Sequence, residues 1–163
     1  MTIERPRPAR LHVSHDVALT VDAGTFSFEV TPGAFDYPDV LFGDSQPVAA
    51  TNQDGVYFTT GATYQVIRCQ YEVWDGPPET CSTGEGGQLV VVQAEFSKNQ
   101  VILWGSDKES TVPLPTAGHY TVEAIVHGRA ASLEIYAIGL ARPVSGTESW
   151  LIRFWPSSPD PVD

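Results

Sequence analysis

This sequence predicts an all-β protein, an antiparallel β-sandwich or a partly closed barrel of about eight or nine strands. Short apolar or alternating runs recur along the chain, separated by clusters of Gly, Pro, Asn and Asp. The clearest of these runs keep a two-residue period, which puts alternate side chains on opposite faces of a strand. Helical periodicity is nearly absent. The one candidate, "ASLEIYAIGLA", contains Gly139 and β-branched isoleucines and is expected to be a loop or a single turn.

Taken in order, "RLHVSHD", "VALTVDA", "TFSFEV" and "GVYFTTG" supply the first short strands. "TYQVIRCQYEVW" alternates, with Gln65, Ile67, Cys69, Tyr71 and Val73 on the core face and Arg68, Gln70, Glu72 and Trp74 among those opposite. "STGEGGQ", Ser82 to Gln88, then reads as a flexible hairpin connection. "QLVVVQAEFSKNQVILWGS" reads as a hairpin turning at Lys98-Asn99, where Asn tolerates the positive φ of a tight turn. "VPLPTAG" is a connector, because proline cannot donate to a ladder. "HYTVEAIVHGR" is a strand. In the final "ESWLIRFWP", Trp150, Ile152 and Phe154 form an apolar face expected to bury against the sheet of residues 89–104. Arg153, on its other face, is expected to pair with a carboxylate or stack on an aromatic ring.

A chain of 163 residues fits one domain, 1–163, and its 42% hydrophobic content supports a packed core. Proline and small polar residues mark residues 1–9 and 157–163 as flexible tails. With no long apolar run and no secretory leader pattern, a cytoplasmic location without membrane association is expected. Cys69 and Cys81 are too few for a disulfide framework and lack zinc-site spacing, so both are expected as reduced thiols.

The formal charge is −11, and its placement is more informative than its size. Leu11 to Gly87 holds eleven acidic residues and a single basic one, Arg68. Such a surface disfavours nucleic acid, since phosphate binding needs Lys and Arg to displace counterions. A basic protein suits it better, although charge of this size also serves solubility alone.

No constellation of side chains makes a catalytic or metal site. "HVSHD", His12 to Asp16, holds all the residue types of a nucleophilic triad, but neighbours on one strand point to opposite faces and do not converge. His119 and His127 share a face yet lie roughly 26 Å apart at strand rise. Asp36, Asp39 and Asp44 fall in one loop without the ligand ladder of a calcium site. The glycine-rich "STGEGGQ" lacks the lysine of a phosphate loop, and Cys81 has no basic neighbour in sequence to make it nucleophilic. No metal and no cofactor are therefore expected.

The runs "LHVSHD", "VPLPTAGHYTVEAIVHGR" and "ESWLIRFWP" together resemble an uncharacterised family of small bacterial β proteins, over the N-terminal strand and the last third of the chain. More distantly, the order of these elements is similar to the competence protein J group, small β proteins that inhibit a nuclease of DNA uptake. That resemblance implies a β-sandwich that binds and neutralises another protein, and no motif transfers a binding residue from it. With the acidic bias, it gives a non-catalytic, protein-binding module of inhibitor or immunity type, directed at a basic enzyme such as a nuclease or toxin. The expected contact set is Asp36, Asp39, Asp44, Glu72, Asp75, Glu79 and Glu85, with Tyr37 or Trp74 as a buried anchor. Two rival readings remain: a small-molecule or carbohydrate-binding sandwich that stacks its ligand on Trp74, Trp104 or Trp155, and a hydrolase with His15 or His127 as base.

Overall fold

The alternation of Gln65 to Trp74 is realised as a strand whose Ile67, Cys69, Tyr71 and Val73 are all buried. The structure, a computed structural model, describes residues 7–32, 38, 47–138 and 144–158. Among these residues ten strands and one helix follow in order. They are β1 (Leu11–Val21), β2 (Thr25–Glu29), β3 (Ala49–Asn52), β4 (Gly55–Thr59), β5 (Gln65–Trp74) and β6 (Gly87–Phe96). Then come β7 (Gln100–Trp104), β8 (Glu109–Pro113), β9 (Gly118–His127), α1 (Arg129–Ala137) and β10 (Val144–Pro156). The strands form two five-stranded sheets: sheet A in the order β1-β5-β10-β9-β6, and sheet B in the order β3-β4-β2-β7-β8. This is a sandwich, not a barrel. All pairs are antiparallel except β10 with β5, which run parallel.

The inner faces of the sheets meet through aromatic side chains. Phe26 lies edge-on to Trp150 at 5.1 Å, and Phe28 packs against Phe154 at 4.9 Å. Phe154, with Trp150 and Ile152, is buried as its alternation predicts. What it packs against is different. β6 lies in the same sheet as β10 and only β7 lies in the other, so residues 89–104 are not one sheet and Lys98-Asn99 is not a hairpin. The chain turns a corner from sheet A to sheet B there, carrying buried Phe96 and Val101 into the same core from opposite sides. Asp54 holds the corner by accepting hydrogen bonds from the Ser97 amide and hydroxyl.

Three other expectations change. "RLHVSHD" and "VALTVDA" merge into the single strand β1. "VPLPTAG" begins inside β8, which tolerates Pro113 because it is an edge strand. Residues 129–137 are a helix, α1, which ends before Gly139. Tertiary hydrogen bonds overcome its weak propensity. Glu148, on the core side of β10 and 1% exposed, accepts bonds from the Ser132 hydroxyl at 2.7 Å, the Gly61 amide, the Gln65 amide group and the Trp150 indole. Gly128 precedes α1 at φ 84°, and a side chain there would collide with the Thr147 carbonyl.

Candidate functional site

β5 and β6 run in the same direction in sheet A with β10 and β9 between them, so the Asp75–Gly86 connection is a crossover and not a hairpin. It leaves β5 at Trp74 and enters β6 at Gly87, opposite His127 at the other end of the sheet. On the way it lies as a strap across the outer face of sheet A. Two backbone carbonyls fix it: that of Glu79 accepts from Arg153 Nη1 at 3.0 Å, and that of Thr83 meets His127 Nε2 at 2.7 Å.

Beneath the strap, Arg153 stands in a cross-strand row between Glu72 of β5 and Glu123 of β9. Its Nε donates to Glu123 Oε1 at 2.8 Å, and both side chains are largely withdrawn from solvent. The carboxylate partner expected for Arg153 is thus Glu123. At the head of the strap an open cleft of about 740 Å³ lies between it and residues 7–9, with Glu72, Trp74 and Pro77 among its walls. Trp74 is half-buried, and its indole N–H donates to Glu72 at 2.9 Å. Asp75 ties the start of the strap to the N-terminal segment, its carboxylate accepting from the Arg10 amide at 2.6 Å and its own amide donating to the Arg10 carbonyl.

Four residues of the expected contact set therefore gather at one end of the outer face: Glu72, Trp74, Asp75 and Glu79. Glu85 is exposed at the far end of the strap. Asp36, Tyr37, Asp39 and Asp44 lie outside the described residues. The other acids of the Leu11 to Gly87 stretch are dispersed. Asp16 is paired with Arg68, and Glu29 is buried, accepting from the Ser27 and Tyr57 hydroxyls. Sequence reasoning missed Glu123 and Glu148 as organisers. Glu148 was visible in principle, because it shares strand parity with Trp150, Ile152 and Phe154 and so places a carboxylate on a core face.

The residues invoked by the rival readings are engaged or separated. His15 lies against the Tyr71 ring at 5.5 Å, and His127 holds the strap. Trp104 lies in sheet B, away from Trp74 and Trp155 in sheet A. Among the described residues no group of three His, Cys, Asp or Glu side chains is placed to hold a metal ion, and no helix is long and apolar enough to cross a membrane. Cys69 and Cys81 are both free thiols, the first buried and the second exposed on the strap. Burial, reinforced by the negative charge of Asp16, pushes the Cys69 thiol up to about 12.

No family model and no curated protein sequence matches the chain. Among solved structures it is similar to a protein described as crocagin biosynthetic gene J, with a TM-score of 0.54 at 9% identity, covering 93% of this chain and 100% of that one. It is also similar to ComJ of Bacillus subtilis, an inhibitor of the DNA-degrading activity of NucA, with a TM-score of 0.61 at 13% identity over 93% of this chain and 100% of ComJ. The resemblance seen in the terminal strands thus extends to the fold of nearly the whole chain, which is that of ComJ.

Proposed function

We propose that this protein is a binding module of inhibitor type that neutralises a basic enzyme, a nuclease foremost, by covering its cationic substrate groove. The observation that carries the proposal is the likeness in fold to ComJ, which covers 93% of this chain and 100% of ComJ. The outer face of sheet A supports it. Glu79 and Glu85 sit exposed on a strap fixed at both ends, with Glu72 and Trp74 beside them. A pinned strap presents charge at little cost in ordering entropy on binding. Asp36, Tyr37, Asp39 and Asp44 belong to the same proposed contact set. The mechanism is occlusion without catalysis, in a cytoplasmic setting, and it uses no cofactor or metal.

The test is DNA degradation by NucA, and by any nuclease found encoded beside this chain, titrated with the purified protein. Stoichiometric loss of degradation by at least one of these nucleases is expected. Association should slow as salt shortens the screening length to about 8 Å near physiological strength. It should slow further when Glu72, Glu79 and Glu85, or Asp36, Asp39 and Asp44, are changed together to Lys. Nucleases that keep full activity in excess protein, or an association rate indifferent to both salt and charge reversal, would remove the proposal.

A further inference from the structure

An unpaired sheet edge invites another strand, and three of the four edges here discourage one. β3 has four residues, and β8 has five, ending at Pro113. β1 has a register shift between Leu11 and Val13, and Ser106 and Asp107 cap its Thr20 end. β6 differs. Its ten residues pair with β9 in unbroken register, with no proline and with no charged residue from Gly87 to Ala94.

The direction of its free hydrogen-bonding groups is fixed by one contact. The Glu95 carbonyl accepts from the Asp54 amide at 3.2 Å, so it points away from β9. In an antiparallel ladder, residues alternate between turning both backbone groups toward the neighbour and turning both away. Gly87, Leu89, Val91 and Gln93 share the outward parity of Glu95, and among the described residues their outward groups have no partner. Leu89 and Val91 are also 46% and 49% exposed, adjacent on the outer face of the sheet.

We propose that Gly87–Gln93 pairs antiparallel with the same segment of a second copy of this chain, about a two-fold axis at Val90. The unpaired span is seven residues long, and Val90 is its centre. With the axis there, Leu89 exchanges hydrogen bonds with Val91 of the partner subunit, and Gly87 with Gln93 of the partner subunit, so every outward group is used. The same register sets Leu89 beside Val91 of the partner subunit twice over, merging four half-exposed apolar side chains into one patch. It also brings two chains of formal charge −11 together along a stretch that carries none. A basic protein gains nothing from such an edge, which is why a second copy is the better occupant. A strand pair alone is smaller than the roughly 1,200–2,000 Å² of a permanent interface, so the dimer forms with concentration and tightens as salt screens the two acidic bodies. The inference is independent of the inhibitor reading.

Sedimentation equilibrium of the full chain over a wide concentration range, at low and high salt, tests it. The expected mass rises from 17.7 kDa toward twice that value, more readily at high salt. Val91→Pro removes an outward N–H while sparing the ladder to β9, and Leu89→Glu places a charge opposite the partner subunit's Val91; each should weaken the dimer by about tenfold or more. Should Val91→Pro fail to fold, Leu89→Glu decides. A monomer at every concentration, a dimer untouched by the folded variants, or a dimer that loosens with salt overturns the proposal. So does a parent chain that stays monomeric while the variants lose binding to a different protein, which would assign the edge to a partner's strand.

Discussion

Among the described residues the outer face of sheet A carries two arginine–carboxylate pairs, and the strap makes them different objects. Arg153 and Glu123 are 4% and 13% exposed, with the strap's Glu79 carbonyl completing the guanidinium's hydrogen bonds. Arg68 and Asp16, joined across β5 and β1 with an Nε–Oδ2 distance of 3.1 Å, are 72% and 44% exposed. Both join neighbouring strands in similar geometry. Water separates them in energy: a desolvated pair fails badly when one member is removed, whereas a solvated pair is screened and replaceable. The first pair is therefore part of what fixes the strap, and the second is surface.

The largest expected effect breaks the layer beneath both pairs. Phe154→Ala, on the core side of β10, should cost about 3–5 kcal/mol through lost transfer energy and a cavity facing Phe28 and Phe96. Chemical denaturation measures it, and an unchanged midpoint would contradict the packing described. Next comes Arg153→Met with Glu123 retained, expected to cost up to about 3–5 kcal/mol because a largely desolvated carboxylate is left uncompensated. Adding Glu123→Leu should restore much of that loss. If the single and double variants are equally unstable, the pair matters through its shape and not its charge.

Alternation within β5, β9 and β10 made their core faces and the all-β class legible, because a strand buried on one side writes its environment into every second residue. Partner choice was not written there. Lys98-Asn99 looked like a hairpin because a tight turn between two alternating strands has the same sequence whether the strands pair or part into facing sheets. The tight hairpin lies instead at Gln53-Asp54, where Asp54 adopts φ 64° ahead of Gly55, a signal that was present. The strap was invisible as a crossover because glycine-rich chain has no preferred course. α1 was underestimated because Glu148, distant in sequence, supplies its anchor. Of the candidate site, Glu72 and Trp74 were legible as outward residues of β5, but the cleft depends on an N-terminal segment and a strap that no local pattern brings together.

The two cysteines sharpen the comparison at intermediate scale. With its thiol pushed up to about 12 by burial, Cys69 stays neutral in the folded protein, whereas Cys81 is exposed. A thiol reagent at neutral pH should label one site per chain, Cys81, and reach Cys69 only on unfolding. Because the folded value lies above the ordinary 9.0, the stability that Cys69 contributes is complete below 9.0 and is lost as pH rises from there toward about 12. Cys69→Ala should flatten that alkaline loss. Rapid labelling of both thiols in the folded state would show that the core beneath Arg68 opens.

The smallest effect belongs to the exposed pair and is the most discriminating. The hydrogen bond from Arg68, with its charge, holds the Asp16 carboxyl below its usual 3.8 against the opposing effect of partial desolvation. A folded value below the unfolded one means that any stabilisation is present above 3.8 and disappears as pH falls through the lowered value, so it changes with pH only in acid. Solvent screens what remains. Arg68→Ala and Asp16→Asn should accordingly each shift the neutral melting midpoint only slightly, by an amount that high salt erases, and the Asp16→Asn and parent profiles should converge as pH falls through the lowered value. Thermal melts from neutral to strongly acidic pH, at two salt concentrations, measure both. A neutral-pH loss in Arg68→Ala comparable to that of Arg153→Met would mean that the strap does not divide the outer face into a structural and a surface half, and the distinction between the two pairs would fall.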